Sequence, residues 1–450
     1  MSTTVRILGS RSREQVPGTG ITLLAPGFRG ALTQLAAGAA PDAAPDLPFA
    51  EAAAGADVML AAQLTLDIEA RPAESPGLRS RSAVATHPRV IVPRRGGVAY
   101  ALLQTDETGT SSFVLPATRD PTEAVFPLTI AAHGATRRML RVLMWPAQAG
   151  TGTGTGVFGI AERWESLRRP NQLAQCGPVG DWLAPDWEAL GQGPVLLLLP
   201  DTFSTPQSTF ANWTCDPSFA QVLRAFGGRC LAYAHPTLSC GLEENVAWLV
   251  SQVARLPGPF DIVALGRGGL LARAIAADGR LPLRRVCQVG APNKGTPLAR
   301  ESNLLRFLDA HVAMLACISN RVARSTLEGV LCMARVAALR LAAPLPGVEI
   351  QATGNPALSA LGSSAPAATQ WFTVSAQFAS VGGHGIPPTG EDAFAAVPND
   401  LVVPSEGCHE PGVPVADRLQ LVGSQVHHHN YFANSHVHAQ LAEWLLPSAM

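Results

Sequence analysis

Asp261-Ile-Val-Ala-Leu-Gly-Arg-Gly-Gly-Leu-Leu-Ala-Arg273 decides how the rest of the chain is read. Its apolar start predicts a buried strand, Gly266 a sharp turn, and the residues after it a helix. A turn of this kind, between a parallel strand and a helix, lifts the side chain at its centre above the sheet and holds a nucleophile there in strained backbone geometry. Glycine at 266 accepts that geometry without strain and supplies no nucleophile.

Around this segment strands and helices alternate, as in a parallel α/β sheet. Strands are predicted at 195–199, 229–233, 260–265, 285–289, 371–374 and near 401–403. Helices are predicted at 219–226, entered through Asp216-Pro217, and at 243–256, 269–277 and 438–446. Residues 300–345 hold mainly amphipathic helices, as an inserted cap would. Upstream, short alternating runs at 62–68, 89–92, 98–103, 112–115, 128–130 and 139–144 are separated by turn residues, which favours a small β-sandwich or barrel. The Ala-, Gly- and Pro-rich residues 1–58 are expected to be partly irregular, with one further strand possible over Ile21–Ala25. Thr151-Gly-Thr-Gly-Thr-Gly156 has the composition of a flexible linker. The expected division is thus an irregular 1–58, a β-rich domain 59–150, a linker and connecting helix 151–190, and an α/β domain 191–450.

The bulk numbers agree with a folded two-domain protein: 450 residues, 47% hydrophobic and 15% charged, too long for one growing core. A net charge of -1 gives no long-range attraction to nucleic acid or anionic lipid, so a nucleic-acid role has no electrostatic support. Met1 to Gln15 lacks an apolar h-region, so no secretory signal is read there and the expected location is the cytoplasm. The most apolar later stretch, Gly329 to Leu345, is broken by Arg335 and Arg340 and is too short to span a bilayer, so an integral membrane protein is not expected. Eight cysteines without CxxC pairs read as small buried hydrophobes, with neither a zinc site nor a disulfide framework implied. No cofactor motif stands out: Gly266-Arg-Gly-Gly invites a nucleotide-loop reading, but Leu271 occupies the third glycine position of a dinucleotide fingerprint.

Taken together, the motifs resemble those of the lipase-like α/β-hydrolases. Val263 to Arg273 aligns with an elbow that in this family reads His-Ser-x-Gly-Gly-Leu, with Leu265 at the histidine and Gly266 at the serine. Val289-Gly-Ala-Pro-Asn-Lys-Gly-Thr-Pro-Leu-Ala299 resembles the strand and loop after the elbow helix. Asn399-Asp400-Leu-Val-Val-Pro404 resembles the segment bearing the triad aspartate, and Val426-His-His-His-Asn-Tyr-Phe432 the histidine loop, in the order this fold expects. The resemblance covers about residues 190–450. It is closest to bacterial domains with an N-terminal β-rich region that sometimes accompany caspase-like peptidases.

That resemblance implies an α/β-hydrolase fold, with helices on both faces of a mostly parallel sheet, a helical cap, and a site built on Asp400 and His428. His428 is preferred over His427 and His429 because it stands three residues before Tyr431. In active relatives the first strand ends in His-Gly; here Pro200-Asp201 follows Leu199. Proline lacks the amide that would serve an oxyanion, and a carboxylate nearby would repel one. Removing a triad serine costs roughly six powers of ten in turnover. The resemblance therefore implies a catalytically inactive, hydrolase-like protein with a binding, scaffolding or regulatory role, in a peptidase-linked assembly by analogy. The competing reading is an active ester or lipid hydrolase that uses a relocated nucleophile with His428 and Asp400.

Each candidate also has a plainer reading. Asp400 beside Asn399 is equally a turn former. Ser204, Ser208 and Ser239 are relocated nucleophiles on one reading and backbone-bonding loop serines on the other. Cys240 and Cys287 are either thiol nucleophiles or inert buried cysteines. Seven of eleven histidines fall between His384 and His438. His427-x-His429 with His436-x-His438 has metal-ligand spacing, but without a carboxylate pattern no metal is expected. Arg267, at the head of the elbow helix, is a candidate to hold an anionic or lipid-like ligand in the pocket formed with Pro200, Asp201 and Ser204.

Overall fold

A computed structural model describes residues 3–9, 12–35, 49, 52–53, 56–69, 88–106, 111–117, 120–128, 136–146, 157–178, 180–315, 320–338, 345–361, 368–379, 394 and 397–446. The chain divides into two compact units, Met1–Thr155 with Leu331–Leu341, and Gly156–Val330 with Ala342–Met450. The linker expected at 151–156 and His384 lie outside the described residues.

The first unit is a pair of antiparallel sheets. Its strands are β1 (Thr3–Ile7), β2 (Glu14–Gln15), β3 (Thr22–Leu24), β4 (Gly30–Gln34), β5 (Met59–Ile68), β6 (Arg89–Pro93), β7 (Val98–Asp106), β8 (Ser111–Val114), β9 (Glu123–Pro127) and β10 (Thr136–Pro146). They form a six-stranded sheet in the order β1-β4-β5-β10-β7-β8 and a four-stranded sheet in the order β2-β3-β6-β9. Alternate residues of both sheets share one core: Leu64, Leu66, Leu102, Leu140 and Val142 from the larger, Leu23, Val90, Val92 and Phe126 from the smaller. This is the inward alternation of a sandwich. Four strands lie within the first 34 residues where one was expected, and β3 falls on the expected Ile21–Ala25. Ladder pairing with later strands, such as Leu32 opposite Leu66, outweighs the weak local propensity of an Ala- and Gly-rich sequence. The strand placed at 128–130 runs instead over Glu123–Pro127, and 129–130 fall outside the described residues.

The second unit is an eight-stranded sheet. It contains β11 (Gln172–Cys176), β12 (Trp182–Leu183), β13 (Val195–Leu199), β14 (Cys230–Ala234), β15 (Phe260–Leu265), β16 (Leu283–Val289), β17 (Gln370–Phe378) and β18 (Asp417–Ser424). The order is β12-β11-β14-β13-β15-β16-β17-β18. Every pair from β14 through β18 is parallel, and β11 is antiparallel to both its neighbours. Its helices are α1 (Val157–Arg168), α2 (Pro206–Thr214), α3 (Pro217–Ala225), α4 (Leu242–Val253), α5 (Arg267–Asp278), α6 (Leu304–Leu315), α7 (Asn320–Ala338) and α8 (Ser435–Leu445), besides several of a single turn. α7 runs into residues assigned to the first unit.

Strand periodicity sorts the helices onto the two faces. Leu197, Leu199, Ile262 and Ala264 meet Val246, Leu249 and Val250 of α4 and Leu270, Leu271 and Ile275 of α5. Leu196, Leu198, Val263 and Leu265 meet Phe210 and Trp213 of α2, Phe219 and Val222 of α3, and Val437 and Leu441 of α8. Strands covered on both faces have no polar side, which explains the uninterrupted Val-Leu-Leu-Leu-Leu of β13, all buried. This is an α/β-hydrolase fold. Among the described residues no helix is long and apolar enough to cross a membrane.

The residues predicted as a strand near 401–403 form a turn in which Leu401 has φ 78°; the last strand is β18. The apolar run Leu401-Val-Val403 is inward-facing loop, with Val402 and Val403 buried. From β13 the chain passes to β14 on one side and then to β15 on the other. The loops after β13 and β15 therefore lie side by side at the carboxyl ends of these strands, the place where ligands of open α/β sheets bind.

Candidate functional site

Three loops converge at these strand ends. Gly266, directly after β15, adopts φ 52° and ψ -121° and starts α5. Its amide donates to Val289 O at 3.0 Å, tying the turn to β16. A Cβ at Gly268 would stand 2.4 Å from Leu199 O, so only glycine lets the first turn of α5 lie against the end of β13. The elbow read from the sequence is present in full geometry.

The centre of the site is occupied by Asp201. Its Oδ1 accepts from the backbone N–H of Arg267 at 2.7 Å, and its Oδ2 meets His428 Nε2 at 3.0 Å. A Cβ built at Gly266 would lie 2.0 Å from Asp201 Oδ1 and 2.3 Å from its Cγ. The carboxylate thus fills the space into which any side chain at position 266 would project. It does so at the head of α5, where an amide dipole favours negative charge.

Asp400 and His428 lie side by side. His428 Nδ1 meets Asp400 Oδ2 at 2.8 Å, and the His428 amide donates to Asp400 O at 3.0 Å. Asp400 is itself fully engaged: Oδ1 accepts from the amides of Val402 and Val403 at 3.0 and 2.7 Å, and Oδ2 from the Tyr431 hydroxyl at 3.0 Å. The turn-forming and histidine-orienting readings of Asp400 therefore both hold geometrically, one for each oxygen. Tyr431, used in the sequence only as a marker for His428, is a fourth hydrogen-bond partner of this carboxylate.

Asp201, Asp400 and His428 are each 1% exposed. Burial works against a charged imidazole, but Asp400 and Asp201 on its two nitrogens outweigh it and hold His428 up at about 10. Burial likewise disfavours the Asp201 carboxylate, yet the facing imidazolium and the Arg267 amide keep its pKa below the ordinary value. At neutral pH the His428 ring is protonated and faces a carboxyl group at each nitrogen. An imidazole already protonated at Nε2 cannot take a proton from an attacking group.

Rings pack beside the triad, and His429 joins them to it, its centroid 5.8 Å from that of His428. Phe203, held at φ 62°, packs edge-on to His311 of α6 with centroids 5.0 Å apart and lies 5.7 Å from Phe307. His311 in turn meets His429 at 5.1 Å, and Gly329 of α7 closes on Phe203 so tightly that a Cβ there would lie 2.7 Å from its Cδ1. The helices expected as a cap join this packing through α6 and the first part of α7. His311 donates Nδ1–H to Phe307 O at 2.7 Å; burial pushes its pKa down to about 4 and drives His429 well below its ordinary value.

Other candidates resolve differently. Arg267 is corrected: its guanidinium turns away from the site to Gly347 O, Cys240 O and Asn245 Oδ1, and it is the Arg267 backbone amide that holds an anion. Pro200-Asp201 is also corrected, since the carboxylate does more than repel a developing charge: it sits in that charge's place. Ser204 Oγ donates to Asp201 O and accepts from Thr209 Oγ1, both at 2.9 Å. Ser208 serves the start of α2 through the Thr205 backbone. Ser239 Oγ donates to the buried Glu165 of α1. Cys287 lies in β16 with its thiol raised well above its ordinary pKa by burial, and burial also raises Cys240. Both ring nitrogens of His428 face carboxylates, so none of these groups is its partner. His438 Nε2 donates to Phe432 O at 2.8 Å and its Nδ1 lies 3.2 Å from Asp216 Oδ2, and among the described residues no cluster of His, Cys, Asp or Glu fits a metal ion.

Sequence reasoning did not place Asp201 on the histidine, nor Phe203, Phe307 and His311 beside it. The only signal for the first was position: Asp201 follows the strand whose loop faces the elbow.

A family model described as a domain of unknown function (DUF7379) matches residues 166–446. No curated protein matches the sequence. Among solved structures, the chain is similar to a lipase of Bacillus licheniformis in mature form, with 15% identity and a TM-score of 0.40 over 61% of this chain and 98% of that one. It is also similar to lipase 1 of Pelosinus fermentans, with 11% identity and a TM-score of 0.40 over 57% and 99%. A third likeness is to a structure described under the carboxylesterases of Nitrososphaera gargenis, with 13% identity and a TM-score of 0.37 over 61% and 93%.

Proposed function

The chain belongs to the DUF7379 family, and from that premise we propose that its α/β-hydrolase domain is catalytically silent and serves binding or regulation. One observation carries this reading: the Asp201 carboxylate fills the volume above Gly266 and takes both the elbow amide and His428 Nε2. The attacking hydroxyl, the amide for its oxyanion and the basic nitrogen are the three parts of acyl transfer. Gly266 leaves the first out, and Asp201 engages the other two.

The retained dyad explains itself without turnover. A buried imidazolium between two carboxylates, each with further hydrogen bonds, ties the β13, β15, β17 and β18 loops into one network. Removing one member leaves a buried charge uncompensated, which typically costs about 3–5 kcal/mol. That makes conservation of shape a sufficient role for His428 and Asp400.

A fluorophosphonate probe tests the reading, because it phosphonylates serine nucleophiles activated by a histidine, with loss of fluoride. The wild-type chain is expected to remain unlabelled at neutral pH over hours. Covalent labelling that disappears in His428→Ala establishes instead the hydrolase reading with a relocated nucleophile.

A further inference from the structure

Cys176 is the last residue of β11 and Cys230 the first of β14. The two strands are antiparallel, with Gln172 opposite Ala234 and Gln175 opposite Leu231, so the next step of the same register sets Cys176 against Cys230. Residues opposite each other in an antiparallel pair have Cα atoms about 4.5–5.5 Å apart, inside the span that a disulfide bridges. Side chains alternate between the faces of a sheet, and both cysteines fall on the same one, buried in the cluster that holds Leu196, Trp213 and Phe226. The two thiols are hydrogen-bond partners, and burial together with that contact holds Cys230 well above its ordinary value. All seven described cysteines are free thiols, and among the described residues no other two stand opposite each other in a ladder.

Position in the sheet decides whether an oxidant reaches them. β11 pairs with β14 over Gln172–Gln175 and, on its other side, only with Trp182–Leu183, and β12 ends the eight-stranded order. Such an edge opens locally at far less cost than the central strands β13, β15 and β16. Burial keeps the closed pair as two thiols, and the thiolate that attacks arises when the edge opens.

We propose that Cys176 and Cys230 form a redox-sensitive dithiol, oxidised by a small disulfide such as glutathione disulfide to an intrachain bond that locks β11 onto β14. The thiolate of one cysteine attacks glutathione disulfide and expels one glutathione. The second cysteine then attacks the protein sulfur of the mixed disulfide and expels the other. Two protein thiols are oxidised, one glutathione disulfide is reduced, and the two thiol protons end on the two glutathione molecules. The bond closes a ring over residues 176–230, which contains β13, Asp201, Phe203, α2 and α3. Closing a ring of that length removes freedom from the unfolded chain, so oxidation stabilises the fold. The dithiol works alike whether or not the Gly266 site is silent.

The full chain, reduced and then freed of reductant, is incubated at pH 8 in glutathione buffers from fully reduced to fully oxidised, quenched by alkylation and mapped by mass spectrometry without reduction. The oxidised end is expected to give a peptide pair linked through Cys176 and Cys230, with the thermal midpoint raised by at least about 4 °C and returned to its starting value by dithiothreitol. Cys176→Ala, at the end of an edge strand, is expected to abolish both the linked pair and the rise. Cys215→Ser, which removes an exposed thiol, is expected to keep both. The peptide map of the wild-type chain requires no variant to fold. Recovery of Cys176 and Cys230 as alkylated thiols or glutathione adducts at the oxidised end overturns the proposal. Linkage of either to a different cysteine, a link that forms only in unfolding concentrations of urea, or a rise in midpoint that survives in Cys176→Ala also overturns it.

Discussion

The exchange of a hydroxyl for a carboxylate is a matter of a few ångströms around Gly266. Any L-residue there meets two obstacles, a positive φ of 52° and Asp201 Oδ1 at 2.0 Å from its Cβ. Overpacking of a rigid site costs about 1–3 kcal/mol and a strained φ a similar amount. Gly266→Ser is therefore expected to destabilise the chain by about 2–5 kcal/mol, read from urea unfolding, and to gain no fluorophosphonate labelling. Adding Asp201→Gly removes the obstacle, so the double variant is expected to lose less than the sum of the two single losses. Additive losses in the double variant contradict the assignment of the clash, since residues in contact couple and independent ones do not.

The elements that build the site differ in how readily they are read from sequence. The β13, β15 and β16 strands and the α5 helix were legible because a fully apolar run between turn residues has one sensible place, the middle of a covered sheet. The Asp400 turn was not: Leu401-Val-Val403 looks like a strand, and only its hydrogen bonds to Asp400 make it a loop with buried side chains. Asp201 was visible as a residue but not as an occupant, since its contact with His428 joins positions 227 apart and no local pattern encodes that. The packing of α6 was expected in outline, its Phe307 and His311 contacts were not. Phe307→Ala removes a fully buried ring and is expected to cost about 3–5 kcal/mol. Hydrogen exchange should show a distinct consequence at the Arg267 amide, which now donates to Asp201 beside those rings. Faster exchange there, by at least tenfold, is the expected outcome; unchanged exchange in a destabilised variant places the role of the rings elsewhere.

For the whole molecule, the buried histidines act in opposite directions. His428 is raised to about 10 in the fold, so its contribution is complete below the unfolded histidine value near 6.5 and is lost as pH rises toward 10. His311 is lowered to about 4, and His427 also to about 4. Their burial as neutral rings is favourable above about 6.5 and is lost as pH falls toward 4. Asp201, held below its ordinary value, adds a further loss on the acid side. The thermal midpoint is thus expected to peak between the two limbs. His311→Phe, which keeps a ring against Phe203, should flatten the acid limb, and Asp201→Asn the alkaline one. A midpoint that rises steadily from pH 7 to pH 10 contradicts the charged assignment of His428. At this scale the strands before residue 58, starting at Thr3, were the least legible feature, because sandwich pairing is non-local while composition is not.

The charge state of His428 tests the account most directly. Nitrogen-15 resonances of its ring at pH 8 are expected to show both nitrogens protonated, with the transition to the neutral ring near pH 10. In Asp201→Asn that transition is expected to move down. A ring that is already neutral at pH 8, with one bare nitrogen free to act as a base, contradicts the account.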